Sequence, residues 1–324
     1  MTLLLTHDVV RSVVGMADAI DAMERAFFEE GQGGALLPQR INMKARGGWL
    51  RVGPVALEKS GWMGFKAMNL APGQGVRYQV HLYRMDTGEL VCIMDAQHLT
   101  TLRTGATSVV ATRRLARPGP AVVALLGSGV EARAQLYGMQ EAGFVKSVRV
   151  FSPTQANRRR LVDDFRREYT MDITDTSSAE DAVAGADIVL AAVKSSEPVL
   201  MGRWLKPGMH VNSVGTARRD QREIDVQTFQ RCARIVVDTK EGVFAEAGDA
   251  VAALDAIPPG SVHELSELTI GAVPGRISAA EITLFKSVGT GIQDIALAAV
   301  IYQRARERKL GVDLGEFPHL KASK

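Results

Sequence analysis

The chain has 324 residues, 46% hydrophobic and 23% charged. That is enough apolar surface to offset the ordering entropy of folding, and too long for one ordinary core, so two domains are expected and disordered, collagen-like and coiled-coil classes are excluded. Lys plus Arg number 39 against 36 Asp plus Glu, a net charge of +3, too small over this length to argue for nucleic acid or an anionic membrane surface as partner.

Taken in chain order, apolar residues first recur at Val9, Val13, Met16, Ile20, Met23 and Phe27, the spacing of an amphipathic helix over residues 8–30 with a break near Gly15. Short β-like runs follow at residues 39–44, 49–54, 62–67, 79–83 and 90–94, with Asp86-Thr87-Gly88 as the hairpin turn before the last. Residues 99–115, rich in Ala and Val, predict a helix that stops at Arg117-Pro118-Gly119-Pro120, where two prolines and a glycine cannot continue it. A domain junction is expected there.

Beyond it, apolar runs at 121–126, 147–151, 187–192, 210–214 and 235–238 alternate with helical stretches, the mark of βαβ units and a mainly parallel sheet. A last helix is expected over residues 279–309, apolar on one face through Ile282, Phe285, Val288, Ile292 and Ile295. The expected division is a first domain of residues 1–117 completed by 296–324, and a second of residues 118–295. The tail after Pro318 is expected to be loosely ordered.

The buried run at 121–126 leads into Gly127-Ser128-Gly129-Val130-Glu131-Ala132, a G-x-G-x-x-A turn from strand to helix. Gly127 permits the tight turn, Gly129 lets backbone approach a pyrophosphate, and the helix start at Val130 and Glu131 offers amides to phosphate oxygens. The fold class is therefore α/β, with a Rossmann-type dinucleotide-binding domain. The second strand lacks the acidic residue that would hold the ribose hydroxyls of NAD and ends in Ser152-Pro153-Thr154, with Arg158, Arg159 and Arg160 behind it. Small hydroxyls and cations suit a 2′-phosphate, so NADP is favoured and NAD remains open. A solvated helix face is the other reading of the arginines.

Several stretches together resemble the ornithine cyclodeaminase and mu-crystallin family. They are Gly64-Phe65-Lys66, Asp95-Ala96-Gln97-His98-Leu99-Thr100, Leu102-Arg103-Thr104-Gly105-Ala106, the Gly127 loop, Asn212-Ser213-Val214-Gly215 and Leu284-Phe285-Lys286-Ser287-Val288-Gly289. The resemblance implies an α+β substrate and dimerisation domain beside the dinucleotide domain, and a homodimer. It also implies a substrate carboxylate gripped by Arg40, Lys66 and Arg103. The residue types agree, because paired cationic donors suit a carboxylate. Lys66 stands in an apolar strand, where a lysine has either a salt-bridge partner or a task. By resemblance only, Thr104, Val214 and Gly215 approach the nicotinamide, and the segment around Val288 closes over the cofactor. The same segment reads equally well as a helix N-terminus.

The departures select among the family's chemistries. Where cyclodeaminases carry V-G-G-D-x-P-G-K-x-E-L, with the aspartate implied in acid–base work on the amine, this chain runs from Val214 to Ile224 with Ala217 at the aspartate position, and alanine exchanges no proton. A second expected carboxylate falls at Arg51. Asp220, three residues on, lies in a charged run and is expected to face solvent. The expected function is NAD(P)H-dependent reduction of a small cyclic imino acid, ketimine reductase-like, with Lys66 as the proton donor. The alternatives are a cyclodeaminase using bound NAD, an amino-acid or opine-type dehydrogenase, and a non-catalytic NADPH-gated binding protein.

Other constellations exclude more than they suggest. The six histidines include no HxH or HxxxH pair, so no metal site is expected. Cys92 and Cys232 show no C-x-x-C spacing, and they fit a reducing cytoplasm. The run Leu3-Leu4-Leu5 is far short of a signal segment, and no stretch nears the about 18 apolar residues of a membrane span.

Overall fold

The computed structural model describes residues 1–71 and 73–321. The described chain divides into two compact units, Met1–Arg103 with Thr290–Lys324, and Thr104–Gly289. These boundaries differ from those expected at 117/118 and 295/296. The Pro-Gly-Pro stretch ends the helix Gln97–Leu115, but that helix already leaves the first unit at Arg103, because its later turns pack with the second unit: Gln135 Nε2 donates to Thr104 O (3.1 Å), and a Cβ on Gly138 would lie 3.1 Å from Gly105 O. Residues 322–324 of the expected first domain lie outside the described residues.

The first unit is built on a sheet in the order Val312–Asp313, Leu3–Leu5, Leu90–Asp95, Arg77–Arg84, Trp62–Leu70, Gly48–Leu57 and Ala35–Leu36, with Ile41–Ala45 also paired to Gly48–Leu57. All neighbours are antiparallel except Leu3–Leu5 with Leu90–Asp95. Alternation decides the faces. Gly53, Lys66, Val80 and Met94 lie side by side across the strands on one face. The helix Gly291–Glu307 covers that face, and a Cβ on Gly64 would lie 2.9 Å from Ile295 Cδ1. Helices His7–Val13 and Met16–Gly31, broken at Val14 and Gly15, pack on Gly291–Glu307. On the opposite face lie Leu4, Phe65, His81 and Ile93, with Ile41 and Met43 exposed at 63% and 54%.

The second unit is a wholly parallel eight-stranded sheet in the order Asp172–Asp175, Val145–Phe151, Ala121–Leu126, Ile188–Ala191, His210–Ser213, Thr283–Lys286, Arg234–Val237 and Val262–Glu264. The order reverses between Ala121–Leu126 and Ile188–Ala191, so the crevice at their carboxyl ends is the natural ligand position of a doubly wound sheet. Residues 279–309 are not one helix: Thr283–Lys286 is a buried strand in the middle of the sheet, Gly289 turns with φ 78°, and the helix runs only from Gly291 to Glu307. A strand buried on both faces loses its alternation, and its apolar residues then mimic helical spacing. Among the described residues, no helix is long and apolar enough to cross a membrane.

Candidate functional site

In the first unit two cations meet on one carboxylate, with a third close by. Lys66 points from its strand toward Gly291–Glu307, where Asp294 Oδ1 accepts from Lys66 Nζ at 2.7 Å. Arg103 Nε lies 3.2 Å from the same oxygen, and Arg103 Nη1 donates to Gln293 Oε1 at 2.7 Å. All three ionic groups are buried, Lys66 at 7%, Arg103 at 9% and Asp294 at 4% exposure. The Arg40 side chain lies over Gly53, where a Cβ would come 3.7 Å from Arg40 Cγ, and Gly53 is the cross-strand neighbour of Lys66. The Tyr78 ring centre is 5.9 Å from Lys66 Nζ.

Burial depresses the Lys66 ammonium, Asp294 opposes that, and the charges of Arg103 and Arg40 push it further down, to about 8. The salt-bridge reading of Lys66 is thus met by Asp294, but it does not exhaust the site. Lys66 and Arg103 share the Asp294 carboxylate in a buried place, and the charge of Arg40 reaches Lys66 as well, a cationic setting suited to a carboxylate from a ligand. Gln293 Nε2 and Thr290 Oγ1 are buried there without a hydrogen-bond partner. Sequence reasoning missed Asp294 and Gln293. Their signal was an acid and an amide in the first turn of an otherwise apolar helix, a pattern that also suits an ordinary helix start.

In the second unit the Gly127 loop has the expected backbone. Gly127 adopts φ 119°, and a Cβ there would lie 2.6 Å from Ala192 O and 3.3 Å from Ala132 Cβ. Gly129 is the extended N-cap of Val130–Glu141 and the helix has no side-chain cap. A Cβ on Gly129 would meet nothing within 4 Å, so open space lies beside the start of a helix whose first-turn amides have no side-chain cap. Val130 is half exposed at the helix start, and Glu131 is its first-turn acid.

The end of the second strand is more tightly tied than the motif suggested. Ser128 Oγ donates to Ser152 Oγ at 2.9 Å. Arg158 Nη1 donates to Ser152 O at 3.0 Å, and its Nε donates to Asp175 Oδ2 at 3.1 Å. Ser128, Ser152 and Arg158 are therefore brought together, with the guanidinium already engaged by an acid, while Thr154 is exposed. Arg159 and Arg160 are exposed, as a solvated helix face requires.

The remaining positions divide. Val214 N donates to Ala191 O at 3.0 Å, and Gly215 N to Glu223 Oε1 at 2.8 Å, which fixes both at the carboxyl end of His210–Ser213. Val288 does not start a helix. Its amide donates to Asp238 Oδ2 at 3.1 Å, as does Ser287 Oγ at 2.7 Å, so buried Asp238 pins the turn. Ala217 stands half-buried, and Asp220 is exposed beside Arg218, its Oδ1 2.9 Å from Arg218 Nε. Arg51 is half-buried, its Nε donating to Asn42 Oδ1 at 2.6 Å. Among the described residues no group of His, Cys, Asp and Glu is arranged to hold a metal ion.

Comparison with known proteins gives one consistent answer. The model of the ornithine cyclodeaminase/mu-crystallin family matches residues 1–309. A ketimine reductase mu-crystallin of Macropus fuliginosus is 30% identical over 92% of this chain and 96% of its own length. The solved structure of Thermococcus litoralis Delta(1)-pyrroline-2-carboxylate reductase in complex with NADH and L-proline has a TM-score of 0.91 at 34% identity, covering 97% of this chain and all of the other. An archaeal alanine dehydrogenase dimer with bound NAD reaches the same TM-score at 30% identity, over 98% of this chain and 99% of that one.

Proposed function

The chain belongs to the ornithine cyclodeaminase/mu-crystallin family, and from that membership and the geometry above we propose that it is an NAD(P)H-dependent oxidoreductase that reduces a small cyclic imino acid to the amino acid. The observation that carries the reading is the buried pair of Lys66 and Arg103 on the carboxylate of Asp294, with the charge of Arg40 acting on Lys66. Arg103 and Arg40 take the substrate carboxylate, matching its charge with planar donor forks. Lys66, held at about 8, is mostly protonated at neutral pH and donates to the imine nitrogen. Asp294 touches both Lys66 and Arg103 and orients them. A reduced nicotinamide, when bound, supplies a hydride.

Imine reduction asks the protein to align the reacting carbon, exclude water and supply one proton. Ammonia expulsion asks for an acid–base group on the amine, and Ala217 offers none. On the second unit, Gly127, Ser128, Gly129, Val130 and Glu131 hold the pyrophosphate and Thr104, Val214, Gly215 and Val288 line the nicotinamide end. Ser152, Thr154 and Arg158 take the adenosine ribose. NADP is favoured over NAD on the small hydroxyls of Ser152 and Thr154 and the cation of Arg158 at the end of the second strand, where a 2′-phosphate has to displace Asp175 from Arg158 Nε, 3.1 Å away. The exposed apolar sheet face that carries Leu4, Ile41 and Met43 supports a homodimer of this chain through the first unit. Two buried free cysteines suit a reducing, cytoplasmic setting.

The test is to titrate the protein with NADPH and NADH and then follow nicotinamide absorbance with cyclic imino acids, with keto acid plus amine, and with ornithine. Consumption of cofactor with a cyclic imine is expected. Ammonia release from ornithine without net absorbance change would replace the proposal with cyclodeamination, and oxidation of cofactor only with keto acid plus amine would replace it with an opine-type dehydrogenase. Cofactor binding with no turnover on any of these would make the chain a gated binding protein. Lys66→Met is expected to abolish turnover and leave cofactor affinity intact, and near wild-type reduction by that variant would remove Lys66 from its role.

A further inference from the structure

The strand Thr283–Lys286 ends on a lysine that is wholly buried, together with two wholly buried acids, Glu223 and Asp249. Lys286 Nζ donates to Thr216 Oγ1 (2.6 Å), Ser213 Oγ (2.8 Å) and Asp249 Oδ2 (2.9 Å), and lies 3.4 Å from Glu223 Oε1. Each hydroxyl passes the interaction on. Ser213 Oγ donates to Glu223 Oε1 at 2.6 Å, and Thr216 Oγ1 to Asp249 Oδ2 at 3.1 Å. The hydrogens close: an ammonium has three to give and each hydroxyl one, and every one has an acceptor.

The rest of both carboxylates is spent on backbone. Glu223 accepts from Gly215 N (2.8 Å) and Val193 N (3.1 Å), and Asp249 from Ala250 N (2.9 Å) and Glu223 N (3.3 Å). Two buried carboxylates share one lysine, an arrangement that persists only where backbone amides satisfy the remaining oxygens. Burial and the charge of Asp249 push the Glu223 carboxyl up, while Lys286 holds it down.

What Glu223 joins gives the network its meaning. Val193 follows the strand Ile188–Ala191, and Gly215 follows His210–Ser213, the next strand in the sheet. Both lie at carboxyl strand ends, where a doubly wound sheet presents its ligand. A side chain at Gly215 would collide with Val193 N, Val193 O and Glu223 Oε2, so the two loops and the carboxylate meet with no space between them. An apolar trio of similar volume would pack such a place at lower desolvation cost. What a satisfied charged network adds is direction, because each N–H it engages has one orientation.

We propose that Glu223, held by Lys286 and Asp249, is a positioning residue that sets the backbone of Val193 and Gly215 for the nicotinamide end of the dinucleotide. This rests on the dinucleotide reading given above. Glu223→Gln tests it, since an amide must turn its NH2 toward an N–H or hydroxyl donor on one side or the other. The full-length variant is titrated calorimetrically with NADPH or NADH and with the matching ADP-ribose, which has the same phosphates but no nicotinamide.

The expected result is about tenfold weaker binding of the dinucleotide, the consequence of about one mispaired hydrogen bond, with ADP-ribose affinity unchanged. In turnover, kcat falls while KM for the imino acid is kept. Ser213→Ala, which removes one relay hydroxyl without changing charge, shifts the same ratio in the same direction and decides the matter if Glu223→Gln does not fold. Equal weakening of both ligands, or of neither, overturns the proposal. A wild-type protein that binds neither ligand refutes the dinucleotide reading itself, a result distinct from a variant that behaves as wild type.

Discussion

Asp294→Asn removes a charge and leaves a side chain of the same shape. In the native site Asp294 Oδ1 lies 2.7 Å from Lys66 Nζ and 3.2 Å from Arg103 Nε, with all three groups buried. At an effective dielectric constant of about 20, two unit charges at that shorter distance attract by roughly 6 kcal/mol. Desolvation of the carboxylate offsets most of it, and a hydrogen bond to a charged group is worth a net of about 1.5–3 kcal/mol. At about 1.4 kcal/mol per pH unit, this corresponds to a fall of about one to two units in the Lys66 ionisation.

The sign follows from which form works. Lys66 must be protonated to donate, so imine reduction runs below its ionisation and declines as pH rises through about 8. Without Asp294, burial and the repulsion of Arg103 and Arg40 act unopposed, and the declining limb moves to about pH 6 to 7. The assay is the pH profile of kcat/KM for reduction of a cyclic imino acid, with cofactor affinity measured beside it as a control that should not move. A variant whose limb stays at about 8 would refute the assignment of both residues.

Gly127→Ala puts a side chain at φ 119° with its Cβ 2.6 Å from Ala192 O, and a loss of about 1–3 kcal/mol is expected in a denaturant melt. Gly129→Ala has room for its methyl in the free protein, so its melt should match wild type while dinucleotide affinity falls. A matching drop in both would mean that the space is not the phosphate's. Arg158→Met frees Asp175 and Ser152 O from the guanidinium and should lower the preference for NADPH over NADH by about tenfold. An unchanged ratio would leave Arg158 as the tie between Asp175 and its strand.

The alternation of apolar runs with helical stretches made the parallel sheet legible, because each buried strand is short and bounded by turn residues. The first unit was legible for a different reason: its antiparallel strands have two unlike faces, so their residues alternate. What the residues did not reveal were short edge strands such as Asp172–Asp175 and Val312–Asp313, defined by pairing rather than pattern. The division into compact units falls earlier than the Pro-Gly-Pro stretch, since such a stop marks where a helix ends, not which core its turns pack against.

Charged residues inside apolar elements were the best guide to the site, and they worked only where the element itself was read correctly. Lys66 stood out because a strand with alternating faces gives every position an inside or an outside, and Lys66 had the parity of the inside. Asp294 completes that site from 228 residues away in sequence, and nothing local distinguishes it from an acid placed to favour a helix start. Lys286 carried the same signal as Lys66, a lysine flanked by buried Phe285 and Ser287. Placed on a helix, the face of Ile282, Phe285 and Val288 turns Lys286 toward solvent, and the signal vanishes. On a central strand both parities are buried, so its lysine requires the acids that the fold supplies in Glu223 and Asp249. A mistaken period therefore conceals chemistry as well as shape, because it reassigns which side chains must be answered by a partner.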